Sequence, residues 1–253
     1  MSGHSKWATT KHRKAAQDAK RSALFSKLTR VITVAAREGG DPNPDNNAAL
    51  AAAIEKAKGY SLPNDKIKTA IDKAFGAGKD AASYETVVYE GYGPAGVAVY
   101  CEALTDNRNR TAADVRAAFN HSGGNLGTSG SVAFQFERRG QITVLKEACS
   151  DEDELMLAVA DAGGEDYEDA GEEWIIYTAP TALMSTKNAL EAGGIATHGA
   201  ELTMIPTTPT QVESKDAPKV MRLIDKLEDL EDLQNVYHTM DMTDEVVAAL
   251  EAD

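Results

Sequence analysis

Apolar residues in the first third of the chain recur with helical spacing. Between Ala19 and Arg37, the residues Leu24, Phe25, Leu28, Val31, Ile32 and Ala35 follow an i, i+3/i+4 pattern. At helical pitch they fall within a stripe about 100° wide, which predicts an amphipathic helix. Lys20, Lys27, Arg30 and Arg37 lie outside that stripe, grouped on one side. Gly39-Gly40 should end this helix, because glycine tolerates the left-handed C′ conformation. A second helix is predicted from Asn47 to Lys58, burying Leu50, Ile54 and Ala57, with Gly59 closing it. A third should open at Leu62-Pro63-Asn64 with Asn64 as N-cap. Its buried stripe would be Ile67, Ile71, Ala74 and Phe75. Residues 1–80 therefore read as a helical domain behind a basic arm, and the Gly/Ala-rich stretch 76–82 as a linker.

The period then changes. Tyr84–Tyr89 and Val97–Ala103 are rich in β-branched and aromatic residues and read as strands. Thr111–His121 reads as a helix, with Thr111 and Asp114 as an acidic variant of the capping box. Strands are predicted at 132–136 and 142–145, then a helix over 152–162 and a strand over 174–177. A helix over 181–192, a strand over 202–205, a helix over 217–230, a strand around Val236-Tyr237 and a helix over 243–250 complete the chain. Four helices stop at a Gly-Gly pair. This order predicts a multi-domain α+β protein: an N-terminal helical domain, then two sandwich domains with helices on one sheet face. The sequence-local cut between those two falls near residue 131.

Charge adds what hydropathy does not show. The 253 residues carry a net charge of −14, which taken alone argues against a polyanion partner. Its distribution reverses that argument. Residues 1–80 hold 15 Lys/Arg and 8 Asp/Glu, whereas residues 141–203 hold 2 and 14. The first 37 residues carry nine bases against one acid, Asp18. Such asymmetry points to a polyanion partner at one end. No run reaches the roughly 18 apolar residues of a membrane span, and no apolar secretory signal is present. Two cysteines, Cys101 and Cys149, are too few for a disulfide framework. A reducing, cytoplasmic setting without a membrane partner is expected.

Candidate chemistry is sparse. Gly91-Tyr-Gly93-Pro-Ala-Gly96 is formally G-x-G-x-x-G, but Pro94 and a following strand replace the helix that a dinucleotide needs. A hairpin turn is expected there instead. Gly123–Ser131 could cradle a phosphate on backbone amides of Gly124, Gly127, Thr128, Ser129 and Gly130, or simply connect two domains. Arg108 and Arg110, interleaved with Asn107 and Asn109 just before the predicted helix, offer phosphate or base-edge donors, or else cap the helix and pair with acids. In the arm, Lys6, Lys11, Arg13 and Lys14 suit a phosphate backbone and Trp7 a stacked base. A solvated tail or an organellar transit peptide are the competing readings of that arm. With Lys20, Lys27 and Arg30 these form the candidate nucleic-acid contacts. A free Ser2-Gly3-His4 terminus offers a square-planar copper or nickel set, but no metal or other cofactor is expected. Five scattered histidines and no nucleophile elbow leave catalysis without support. The twelve acids between Glu147 and Glu173 read as a solvated face, a surface for a basic partner protein, or, least of all, an enzyme's carboxylates.

Several strings together resemble the YebC/PmpR family. They are Gly3-His-Ser-Lys-Trp7, Glu90–Gly96, Ala103–Thr111, Gly123–Phe134 and Val236-Tyr-His238. The resemblance implies a three-domain bacterial cytoplasmic protein without established enzymatic activity. It divides the chain into residues 1–80, then 81–131 combined with 206–253, and 132–205. It also implies a nucleic-acid-binding regulator of gene expression. Some members are named as probable DNA-binding transcriptional regulators. Others are ribosome-associated translation factors that relieve stalling at proline-rich stretches. DNA or ribosomal RNA, with basic ribosomal proteins, are the expected partners.

Overall fold

The structure, a computed structural model, describes residues 18–76 and 84–251, with side chains from 21 to 76 and 84 to 250. Its architecture is α+β and multi-domain: a helical region followed by two antiparallel sheets carrying helices. The predicted 76–82 linker lies almost wholly outside the described residues.

Three helices form the first part: α1 (Asp18–Gly39), α2 (Ala48–Gly59) and α3 (Asn64–Phe75). Leu28, Ile32, Leu50, Ile54, Leu62 and Ile67 fill their shared core. Asn47 caps α2, its Oδ1 accepting from Leu50 N at 3.1 Å and its Nδ2 donating to Ala35 O of α1 at 2.9 Å. Thr33 Oγ1 donates to Ala70 O at 3.0 Å, tying α1 to α3. Asn64 is not the N-cap of α3: the Pro63 carbonyl already accepts from Lys66 and Ile67, so Asn64 is the first helical residue.

The first sheet has the order β3-β1-β2-β8, from β1 (Glu85–Tyr92), β2 (Ala98–Thr105), β3 (Asn125–Leu126) and β8 (Leu233–His238). The C-terminal strand pairs with β2, placing Tyr100 opposite Tyr237. Val97, Val99, Cys101 and Ala103 alternate onto one face, where α4 (Arg108–His121) and α7 (Ala217–Glu228) bring Phe119, Leu223, Ile224 and Leu227. Ala98 and Tyr100 point the other way and meet Val132, Phe136, Met204 and Tyr237. The formal G-x-G-x-x-G is a turn, with Ala95 and Gly96 at positive φ and β2 directly after it.

The second sheet has the order β5-β6-β4-β7, from β4 (Phe136–Leu145), β5 (Asp166–Asp169), β6 (Glu173–Thr178) and β7 (Gly199–Pro206). Ile142, Val144, Trp174 and Ile176 face α5 (Glu152–Ala162) and α6 (Leu183–Ala192), which contribute Leu155, Val159 and Leu190. The last helix is α8 (Asp244–Glu251). Each of the four Gly-Gly stops places one glycine at positive φ, as Gly163 shows at 84°.

Further predicted details are corrected. Helix α4 begins one turn before Thr111, because Asn107 Oδ1 accepts from Arg110 N and serves as the cap. The predicted strand at 132–136 is a 3-10 turn over Ala133–Gln135, and a single strand runs from Phe136 to Leu145. Strand β5 was absent from the pattern because Asp166-Tyr-Glu-Asp169 is acidic. Acids suit a sheet edge, where they repel a further strand.

By compactness the chain divides into two units. Among the described residues one comprises 84–137 and 204–251; the other comprises 18–76 and 138–203.

Candidate nucleic-acid interface

Lys6, Trp7, Lys11, Arg13 and Lys14 lie outside the described residues, as does the Ser2-Gly3-His4 terminus. Lys20 falls on the first turn of α1, its side chain outside the described set. Arg30 is half-buried. Lys27 is 9% exposed and is corrected as an open phosphate contact. Lys27 lies three residues after Leu24 and four before Val31, and lysine can bury its aliphatic stem beside such apolar neighbours.

The structure gathers other cations instead. Arg21 of α1 lies over the half-buried Phe25 ring at 5.3 Å, and Lys66 of α3 lies over the same ring at 5.8 Å. A ring flanked by two cations holds them by its quadrupole without consuming their hydrogen-bond donors. Lys68 and Lys73 of α3 are exposed and have no carboxylate partner among the described residues. Arg37 is half-buried in the last turn of α1, where a cation complements the helix dipole. Sequence reading missed Arg21, Lys66, Lys68 and Lys73. Their signal was the basic surplus of residues 1–80, without the packing that sorts one lysine from another.

The lysines of α2 are used differently. Lys56 Nζ meets Glu201 Oε2 of β7 at 2.9 Å, and Lys58 Nζ meets Glu55 Oε1 at 2.8 Å. Lys187 of α6, 8% exposed, lies 3.4 Å from Glu55 Oε2 and 2.9 Å from Glu191 Oε1. Burial lowers the Lys187 pKa, but both carboxylates more than reverse this and leave it above its ordinary value. The Thr197 hydroxyl and Lys187 together hold Glu191 below the usual carboxylate range. Beside this network Gly59 and Gly199 touch backbone to backbone: a Cβ on Gly199 would come within 3.1 Å of Gly59 Cα.

The predicted phosphate cradle at 123–131 already holds an anion. The Glu90 carboxylate of β1 accepts from Gly130 N at 2.7 Å, Val132 N at 2.8 Å and Ala133 N at 2.7 Å. Glu90 is 4% exposed. Burial pushes its pKa up, and the three amides more than offset that, leaving it below its ordinary value of 4.5. Gly127 N donates to Glu90 O and Gly124 N to Phe119 O, so these amides too are committed. Thr128 and Ser129 are exposed. The amide-rich loop is real, but its ligand is the protein's own carboxylate.

Arg110 is likewise engaged. Its Nη2 lies 2.7 Å from Asp232 Oδ2 and 2.8 Å from Asp106 Oδ1. Thr111 and Thr105 hydroxyls donate to the same Asp232 oxygen at 2.7 Å and 3.2 Å. Burial raises the Asp232 pKa, and hydrogen bonds from Arg110, Thr111 and Thr105 outweigh it, so the carboxyl stays below its ordinary range. Arg108 remains exposed, 3.5 Å from Glu85. Several acids between 147 and 173 also have structural roles. Asp151 caps α5, Asp169 pairs with Lys146 at 2.7 Å, and Glu165 pairs with Arg139 at 2.6 Å. Among the described residues no group of three or more His, Cys, Asp or Glu is placed to hold a metal ion. No described helix is long and apolar enough to cross a membrane.

Two family models cover most of the chain. Residues 5–77 match the TACO1/YebC protein N-terminal domain, and residues 84–240 match the TACO1/YebC second and third domain. The chain belongs to the TACO1/YebC family. A relative from Rubrobacter xylanophilus is 51% identical over 248 residues, covering 98% of both chains. One from Aeromonas salmonicida is 52% identical over 253 residues, covering 99% of this chain and 100% of its own. Both carry the name probable transcriptional regulatory protein. An Escherichia coli relative, 49% identical over 253 residues and covering 99% of this chain, is named probable transcriptional regulatory protein YebC. The crystal structure of a conserved hypothetical protein from Aquifex aeolicus matches with a TM-score of 0.81 and 42% identity, over 92% of this chain and 96% of that one. In this TACO1/YebC chain, the string Gly123–Phe134 thus includes a loop closed on Glu90, and Ala103–Thr111 includes the Arg110 clamp.

Proposed function

We propose that the chain is a nucleic-acid-binding regulator of gene expression that grips phosphate through its basic helical region and arm. The observation that carries this is the set of unspent cations on α1 and α3. Arg21 and Lys66 flank Phe25, and Lys68 and Lys73 face solvent without a carboxylate partner among the described residues. The names of the relatives support a transcriptional regulator, for which DNA would be the ligand. A second reading, a ribosome-associated translation factor, is favoured by the type of these side chains. Lysines are point charges that suit a phosphate backbone, whereas base-edge readout relies on bidentate Arg, Asn or Gln. Recognition of folded RNA by shape and backbone fits such a face. In that reading the acidic region 141–203 meets basic ribosomal proteins. Both are binding functions without catalysis, and both belong in the cytoplasm. Residues 1–80 act as the gripping domain, with 81–131 plus 206–253 and 132–205 as the body it serves.

The test is binding of the full chain to promoter-length duplex DNA and to ribosomal RNA across a salt series. With about five phosphate contacts the log–log slope should lie near −4 to −5 on duplex DNA. A slope near zero on both ligands would overturn the proposal. Tighter binding to ribosomal RNA would decide for translation over transcription.

A further inference from the structure

Two exposed aromatic residues flank the Glu90-held loop. Among the described residues of the unit containing β1 and β2, the exposed large hydrophobics are Tyr92 at 39% and Phe134 at 73%, both aromatic. Those of the other unit are Phe75 and the aliphatic Met156 and Leu157.

Phe134 is also held firmly. The amides just before it, Val132 N and Ala133 N, are bound by Glu90, and the Gln135 carbonyl after it accepts from Thr207 N at 2.8 Å. The Tyr92 hydroxyl donates to Ser131 O at 3.3 Å and accepts from Gln135 Nε2 at 3.0 Å, so the two aromatic residues are braced through the same segment. A solvent-facing ring on a braced backbone gives up less entropy when something stacks on it than one on a loose loop. The surroundings say what that something is. Gly127, Thr128, Ser129 and Gly130 are exposed and uncharged. The Glu90 charge is buried and satisfied by amides, so it does not repel a phosphate there. No exposed aliphatic patch surrounds Phe134 among the described residues of its unit, as the apolar centre of a protein interface would require.

We propose that Phe134, with Tyr92, is a stacking platform for unpaired nucleobases. The target would then include single-stranded or looped nucleic acid, with backbone hydroxyl and phosphate contacts from Thr128 and Ser129. This rests on the nucleic-acid reading above and adds the class of ligand. Glu90 is the positioning residue that sets the ring.

The experiment uses the full chain, a single-stranded oligoribonucleotide of about 12 nucleotides, and the duplex of the same sequence. Phe134→Ala should weaken single-strand binding by about five- to 150-fold. Duplex affinity should change by less than about twofold, because paired bases cannot stack on the ring. Phe134→Trp should keep the affinity and add an indole emission that the single strand quenches, whereas Phe134→Leu should not rescue. Equal loss on both ligands, no loss on either, or full rescue by Phe134→Leu would overturn the platform. The charge variant Lys66→Glu/Lys68→Glu separates the two readings. It should weaken single strand and duplex alike. If it changes neither while Phe134→Ala selectively weakens the single strand, the phosphate grip on α1 and α3 fails and the platform stands. If the wild-type chain binds neither ligand, both fall.

Discussion

Helices α2 and α3 carry the same kind of side chain and use it in opposite ways. On α2, Lys56 and Lys58 meet Glu201 and Glu55, and Glu55 also meets the nearly buried Lys187. On α3, Lys66 lies against an aromatic ring, and Lys68 and Lys73 face solvent without a carboxylate partner among the described residues. Part of the basic surplus of residues 1–80 therefore serves cohesion with the acidic sheet, and part is left for a ligand. Formal charge does not separate the two; the distance to the nearest carboxylate does. The same sorting recurs around β1, where the Glu90 carboxylate fills the amide cradle that the sequence offers to phosphate, and Arg110 is fixed by Asp232.

The sharpest test of this division is triple charge reversal on α3. Lys66→Glu/Lys68→Glu/Lys73→Glu should weaken duplex binding by about 100-fold or more near 0.1 M salt and reduce the salt slope by about 2 to 3. Thermal stability should change little, and unchanged affinity in a filter-binding titration would break the comparison. Next comes Glu90→Gln, which gives three committed amides a poorer acceptor. A loss of about 2–3 kcal/mol in denaturant unfolding is expected. A wild-type-like midpoint would show that the loop does not depend on the carboxylate.

Lowering the pH tests Glu90 together with Asp232. Glu90 and Asp232 have folded pKa values below their unfolded ones, so their contribution is complete above the unfolded values, 4.5 and 3.8, and is lost as pH falls through the folded ones. Acid unfolding followed by circular dichroism should thus shift to higher pH in Asp232→Asn, and coincident wild-type and variant curves would remove the group from the account. Gly199→Ala should cost about 1–3 kcal/mol by forcing apart the backbones at Gly59. The smallest effect belongs to Lys56→Gln. A partly exposed pair contributes at most about 1 kcal/mol, so stability should fall slightly and nucleic-acid affinity should hold. A large drop in affinity would move Lys56 from the cohesive set to the gripping one.

The sequence alone determined most of the elements, because they rest on local physics. Hydropathy period separated the three N-terminal helices from the later strands, and glycine pairs marked four helix ends. The segregation of charge between residues 1–80 and 141–203 was also fully present in the chain. Some local readings failed because a neighbour displaced the expected cap, as at Pro63 and Asn107, and others because a partner distant in sequence intervened. The turn at Ala133–Gln135 depends on Glu90, 43 residues before Ala133, and Thr111 is drawn from its expected capping role towards Asp232, 121 residues on. Strand β5 hid behind its acids, which only the sheet edge explains. Which charges are spent was decided by the tertiary structure alone. A lysine on a helix surface is the same letter facing water or Glu201, and the Coulomb attraction and desolvation that distinguish the two depend on distances of a few ångströms. Those distances exist only once the strands and helices have packed.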